Sequence, residues 1–206
     1  MRIKNQIRHS YPETNIVIES SPDIYISDMR NRSNLSRGIE ISNAPQLSPD
    51  GNGVMDSAHF INKDILSIDI AIFDDNQFKL PDGTSDKHCE CCLYPTHTDS
   101  SSWIAFLEIK DCKPLNFSNY KKYAKRQIFQ SVKAFFRHDI IRKEKIYGII
   151  SQPRRHTDFN DSLFIDQYET RRLKKFTGIL YYGSNEVLVI DDLRINPIIN
   201  NIDHNI

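Results

Sequence analysis

No stretch of the chain approaches the roughly 18 consecutive apolar residues that a membrane-spanning helix needs. The opening Met1-Arg2-Ile3-Lys4-Asn5-Gln6 has no apolar core of the signal-peptide kind. Both absences point to an intracellular, cytoplasmic protein with no membrane partner. Cysteine is scarce: there are four in 206 residues, three of them crowded into positions 89–92. That pattern excludes a secreted disulfide framework. There is no glycine-rich phosphate loop, no Rossmann fingerprint, no His-Glu-x-x-His and no Gly-x-Ser-x-Gly, so several common enzyme classes drop out. Net charge is also missing. The 27 basic and 27 acidic residues cancel, which argues against indiscriminate binding to polyanions.

What is present suits one globular domain over residues 1–206, large enough for a substantial core. The charge is unevenly placed: from Glu108 to Lys175 there are 17 Lys/Arg against 8 Asp/Glu. Such asymmetry marks either a nucleic-acid face or a solvated basic surface with acidic loops elsewhere.

Residues 1–64 carry no strong helical period. Residues 15–19 and 23–27 read as short strand pieces, and Ser48-Pro49-Asp50-Gly51-Asn52-Gly53 is a turn cluster. Residues 65–73 are the first clear strand, with Ile68, Ile70 and Ile72 on one side and Asp69, Ala71 and Phe73 on the other. Residues 76–102 read as a polar, cysteine-bearing insertion. Trp103-Ile104-Ala105-Phe106-Leu107-Glu108-Ile109-Lys110 is then a buried strand ending in acid, apolar residue and base. Glu108 and Lys110, two apart, share a face. Charge on an apolar strand is costly unless it is paired or binds a metal. A long helix over 119–140 follows, N-capped by Ser118, with an apolar stripe and a basic face that includes Lys121, Lys122, Lys125 and Arg126. Residues 146–151 form a further strand, which predicts a parallel crossover. Residues 179–182 and 186–190 flank Gly183-Ser184-Asn185 and read as a hairpin. Residues 195–206 read as loosely attached.

This pattern of a strand with an embedded Asp, a strand ending in Glu-x-Lys, a long helix and another strand resembles the PD-(D/E)xK nuclease superfamily, over roughly residues 60–151. The matching positions are Asp69 in Ser-Ile-Asp-Ile-Ala and Glu108 and Lys110 in Leu-Glu-Ile-Lys. Ile68 stands where the motif often has proline, and the Asp69-to-Glu108 gap is longer than usual. The resemblance implies an α/β fold of restriction-endonuclease type, a mixed central sheet flanked by helices. It implies a Mg²⁺- or Mn²⁺-dependent nuclease on nucleic acid, DNA first, with restriction or defence as its biology and homodimers among its relatives. Asp69, Glu108 and the Ile109 carbonyl would hold the metal. Lys110 would position the attacking water, and Gln127 falls where some branches place a helix glutamine. Lys121, Lys122, Lys125 and Arg126 would contact phosphates.

Two other readings stand beside it. His88, Cys89, Cys91, Cys92 and His97 are zinc-type ligands, although Cys-x-Cys-Cys is more compressed than the separated pairs of structural zinc sites. A structural Zn²⁺ there would favour a non-catalytic nucleic-acid or protein-binding module. A nucleophilic cysteine from 89–92 is the third reading, and nothing in the sequence orients a histidine toward one.

Overall fold

The computed structural model describes residues 2–28, 38–46, 57–74, 77–78, 87–97, 101–110, 117–153 and 178–198, with backbone only for 117–121. Two helices, α1 (Arg2–Ser10) and α2 (Phe117–Arg137), accompany eleven strands in two sheets. The strands are β1 (Asn15–Glu19), β2 (Asp23–Asp28), β3 (Ile39–Ser42), β4 (Ser57–Ile61), β5 (Ile68–Ile72), β6 (Cys91–Pro95), β7 (Trp103–Ile109), β8 (Lys145–Ser151), β9 (Leu180–Gly183), β10 (Glu186–Asp191) and β11 (Arg194–Ile198). The first sheet runs β1-β5-β6-β7-β8-β9 and the second β11-β10-β4-β2-β3.

Side-chain alternation makes the layers. In the first sheet, Ala71, Cys92, Ile104 and Phe106 face the helices and pack on Ile3 and Ile7 of α1 and on Ile128 and Val132 of α2. Ile70, Leu93, Ala105 and Leu107 face the other way and pack on Ile24, Phe60 and Val187 of the second sheet. The result is a helix layer over a six-stranded mixed sheet over a five-stranded mixed sheet. The central strand β7 is therefore buried on both faces along its whole length.

β7, α2 and β8 form the expected crossover, with β7 and β8 parallel from Trp103–Lys145 to Ile109–Ser151. Ala124, Ile128, Val132 and Phe135, spaced four, four and three, are fully buried. Ile128 passes so close to β8 that a side chain at Gly148 would meet its Cγ2 at 3.1 Å and the Tyr181 ring at 2.9 Å. The helix starts at Phe117, so Ser118 lies within its first turn rather than capping it. It ends three residues earlier than expected. Asp139 takes a left-handed φ of 57°, Ile140 N bonds Phe135 O at 2.9 Å and Asp139 N bonds Phe136 O at 3.1 Å. That Schellman arrangement stops the helix while Ile140 still packs with Phe135.

Three expectations are corrected. Residues 76–102 are not an insertion outside the core, because β6 lies inside them and pairs with both β5 and β7. The hairpin around 183–185 does not form. β9 pairs with β8 in the first sheet, whereas β10 pairs with β4 and β11 in the second. Asn185 holds the step between sheets: its Oδ1 accepts from Ser151 Oγ (2.9 Å) and Gln152 N (2.7 Å), and its Nδ2 donates to Gln152 O (3.0 Å). Finally, residues 194–198 are a strand, and 199–206 lie outside the described residues.

Candidate active site

The Glu108 side chain is sealed from solvent, and the Lys110 ammonium is ion-paired with its Oε1. Their spacing of two along β7 puts both on the helix side of the sheet. Lys110 N also bonds Ser151 O at 2.8 Å, so the backbone at the end of β7 is fixed against β8.

Asp69 is on the same face, because it pairs with Tyr94 of β6, and Cys92, two along from Tyr94, pairs with Phe106 of β7. It is nevertheless at the other end. Following that register, Asp69 is level with Ile104, two strands away, and Glu108 is four residues further on. That separates them by about 13 Å along the strands and about 9.5 Å across them. Two carboxylates so placed cannot share one cation, whose ligand oxygens lie about 2 to 2.6 Å from it. Asp69 instead accepts from Lys4 Nζ of α1 at 3.0 Å. Its Oδ2 and the Tyr94 hydroxyl are buried with no hydrogen-bond partner among the described residues. The expected metal pair of Asp69 and Glu108 is thus corrected: Asp69 anchors a helix.

A different acid lies at this end of β7. Cys91 is paired with Leu107, yet Glu90 N also bonds Leu107 O at 3.1 Å. Two residues opposite one make a β-bulge, a device common beside active sites. It sets the buried Glu90 next to the end of β7. Burial pushes the Cys91 thiol well up, and both Glu90 and Glu108 push it further. The Leu107 carbonyl points toward β6, so by alternation the Ile109 carbonyl does too. The Ile109 side chain is packed between the sheets. Glu90 also lines a cavity of about 170 Å³ with Glu13, Asp74, Asn15 and Gln77. Sequence reasoning missed Glu90, Glu13 and Asp74. The usable signal was Cys91-Cys92-Leu93-Tyr94-Pro95, an apolar five-residue run with an acid at its entrance.

Gln127 is buried rather than on the helix surface, and its Nε2 donates to His88 O at 2.9 Å. Ser131 Oγ accepts from Cys89 N at 3.0 Å and donates to Gln127 O at 3.2 Å. α2 therefore grips the segment that leads into the bulge. No known family model, curated protein or solved structure matches this chain.

The cysteine constellation does not assemble. Cys91 faces the second sheet and Cys92 faces the helices. His97 is exposed beyond the far end of β6, and His88 is buried, stacked on Phe78 at 4.8 Å with Nδ1 2.8 Å from Cys89 O. Burial pushes the Cys89, Cys91 and Cys92 thiols well above their ordinary range. That does not suit a poised nucleophile. Among the described residues no three His, Cys, Asp or Glu side chains converge as a ready metal cage. The expected basic group divides as well. Lys122 and Arg126 are exposed, Lys125 is buried, and the Lys121 side chain lies outside the described residues.

Proposed function

We propose that the chain is a divalent-metal-dependent phosphodiester hydrolase, a nuclease acting on DNA, with Glu108, Lys110 and Glu90 at its centre. The observation that carries the reading is the buried Glu108–Lys110 pair at the end of the central strand, beside a bulge that brings in a second acid. Buried carboxylates are costly without compensating charge, and a bound divalent cation is one way to supply it at Glu108 and Glu90. Magnesium is commonly held by one or two carboxylates, with water and substrate phosphate completing its shell. Glu108, Glu90 and the Ile109 carbonyl would hold the ion. Once bound, the ion would polarise the phosphate and acidify a water. Lys110 would orient that water or stabilise charge developing on the phosphoryl oxygens. Gln127 acts one step back, by fixing the strand that carries Glu90.

A second reading, a nucleic-acid-binding module with the same sheets and no catalysis, draws on the fact that Glu108 already has an ammonium partner. Plasmid and linear DNA incubated with Mg²⁺, Mn²⁺ or EDTA separates the two. The nuclease reading expects metal-dependent cutting that Glu108→Gln and Lys110→Ala abolish in folded protein. No cutting, or cutting indifferent to both changes, would overturn it in favour of the module.

A further inference from the structure

Helix α2 carries basic residues at 121, 122, 125, 126, 133 and 137 and no Asp or Glu. Four of them, Lys122, Arg126, Lys133 and Arg137, are exposed. At 100° per residue these four fall within an arc of about 60° and span about 22 Å. The arrangement works against the helix. Lys122 with Arg126, and Lys133 with Arg137, are like charges at a spacing of four, which repel. There is no acid in the first turn to complement the helix dipole. An ordinary solvated face would interleave both signs. Nearby acids are committed elsewhere: Asp139 pairs with Arg142 and Glu144 with Arg2. None of the four stripe cations is ion-paired among the described residues. Tyr123 and Phe136 are exposed beside the stripe at 50% and 40%, with Lys87 Nζ lying 4.9 Å over the Tyr123 ring. The stripe is on the side of α2 roughly opposite Ser131, which holds the Cys89 segment.

We propose that the outward face of α2 binds the sugar-phosphate backbone of duplex nucleic acid as a second contact, separate from the Glu108–Lys110 site by about the helix diameter of 10 to 12 Å. The choice of partner rests on the nuclease reading; the stripe itself does not. Phosphates recur about every 3.4 Å along each strand, so the stripe is long enough to meet several in a row. A duplex lying along it cannot place the same phosphates at Glu108. The protein would therefore hold one stretch of duplex while another reaches the site.

The test is anisotropy of a labelled duplex titrated in EDTA, where no cutting intervenes. The parent is compared with a fourfold variant (Lys122→Glu, Arg126→Glu, Lys133→Glu, Arg137→Glu) and a fourfold control on exposed sites elsewhere (Arg8→Glu, Lys63→Glu, Lys143→Glu, Arg194→Glu). Circular dichroism checks the fold of each. Affinity should fall roughly tenfold or more in the stripe variant, and the slope of log K against log salt should shrink by about 3 to 4. The control should lose much less. Equal loss in both variants, no loss in the stripe variant, or parent binding to polyglutamate as tight as to the duplex would each overturn the proposal. A parent that binds through the stripe yet cuts nothing with Mg²⁺ would retain this surface and remove the nuclease reading.

Discussion

Two buried carboxylate–lysine pairs lie on one face of one sheet, and their surroundings differ. At the Asp69 end the lysine comes from α1, 65 residues away in sequence, and the pair staples a helix to the sheet. At the Glu108 end the lysine is two residues along the same strand, so the pair ties no elements together. Opposite the same end of β7 is instead a bulge at Glu90, an acid that lines a cavity with Glu13 and Asp74. An ion pair that closes a long-range contact is explained by architecture. One that spans two residues of a single strand is not, and that makes it the better candidate for chemistry.

The sharpest way to break this contrast is catalytic. Glu108→Gln, Glu90→Gln and Lys110→Ala should each lower metal-dependent cleavage by on the order of a hundredfold or more, while Asp69→Asn stays within a few-fold of the parent. Equal losses at both ends would collapse the distinction. Stability should run in the opposite sense. Lys4→Ala leaves the Asp69 carboxylate buried without its cation and should cost about 3 to 5 kcal/mol in urea denaturation. The double change Lys4→Met with Asp69→Leu should recover most of that loss, since well-packed apolar replacements of a buried pair are often neutral.

A smaller effect is expected at Gln127. Removing its bond to His88 O with Gln127→Ala should cost about 1 to 2 kcal/mol. Under the proposed function it should slow cleavage more than it weakens DNA binding, because the strand bearing Glu90 loses its brace. The effect that is smallest at neutral pH is an alkaline response at the α1 end. Burial pushes the Tyr11 hydroxyl up to about 12, where Tyr11 stacks on Phe78 and Phe135. The folded state thus keeps a proton that the unfolded chain has begun to release at about pH 10. That stability is complete below pH 10 and is lost as pH rises from about 10 to 12. Tyr11→Phe should flatten this part of a stability-against-pH curve without altering cleavage at neutral pH.

Much of the sheet was legible because its strands are apolar on both faces: β5, β7 and β8 lie where the sequence indicates. The crossover through α2 was equally plain, since Ala124, Ile128, Val132 and Phe135 carry a clean helical period. Strand β6 was not legible, because its cysteines suggest metal or redox chemistry although buried thiols behave as small apolar groups. The acid opposite the end of β7 was hidden for a related reason. Residues 69 and 108 share a face by alternation, but whether they share an end depends on the register through β6 and on a bulge, neither of which local sequence states. Asn185 misled in the same way. Gly183-Ser184-Asn185 has hairpin composition, yet the asparagine's bonds to Ser151 and Gln152 turn the chain between sheets.

The parallel pairing of β4 with β10 has a consequence for how the molecule is made. Residues 59–61 meet their parallel partners only at 186–188, so during synthesis β2 and β4 emerge long before the strand that completes their sheet. Folding is slowed when such distant segments must meet. The chain carries one tryptophan, fully buried, and its Nε1 donates to Asp191 O at 2.8 Å. Trp103 is thus a built-in fluorescent reporter of the moment when the late C-terminal strands dock onto the rest.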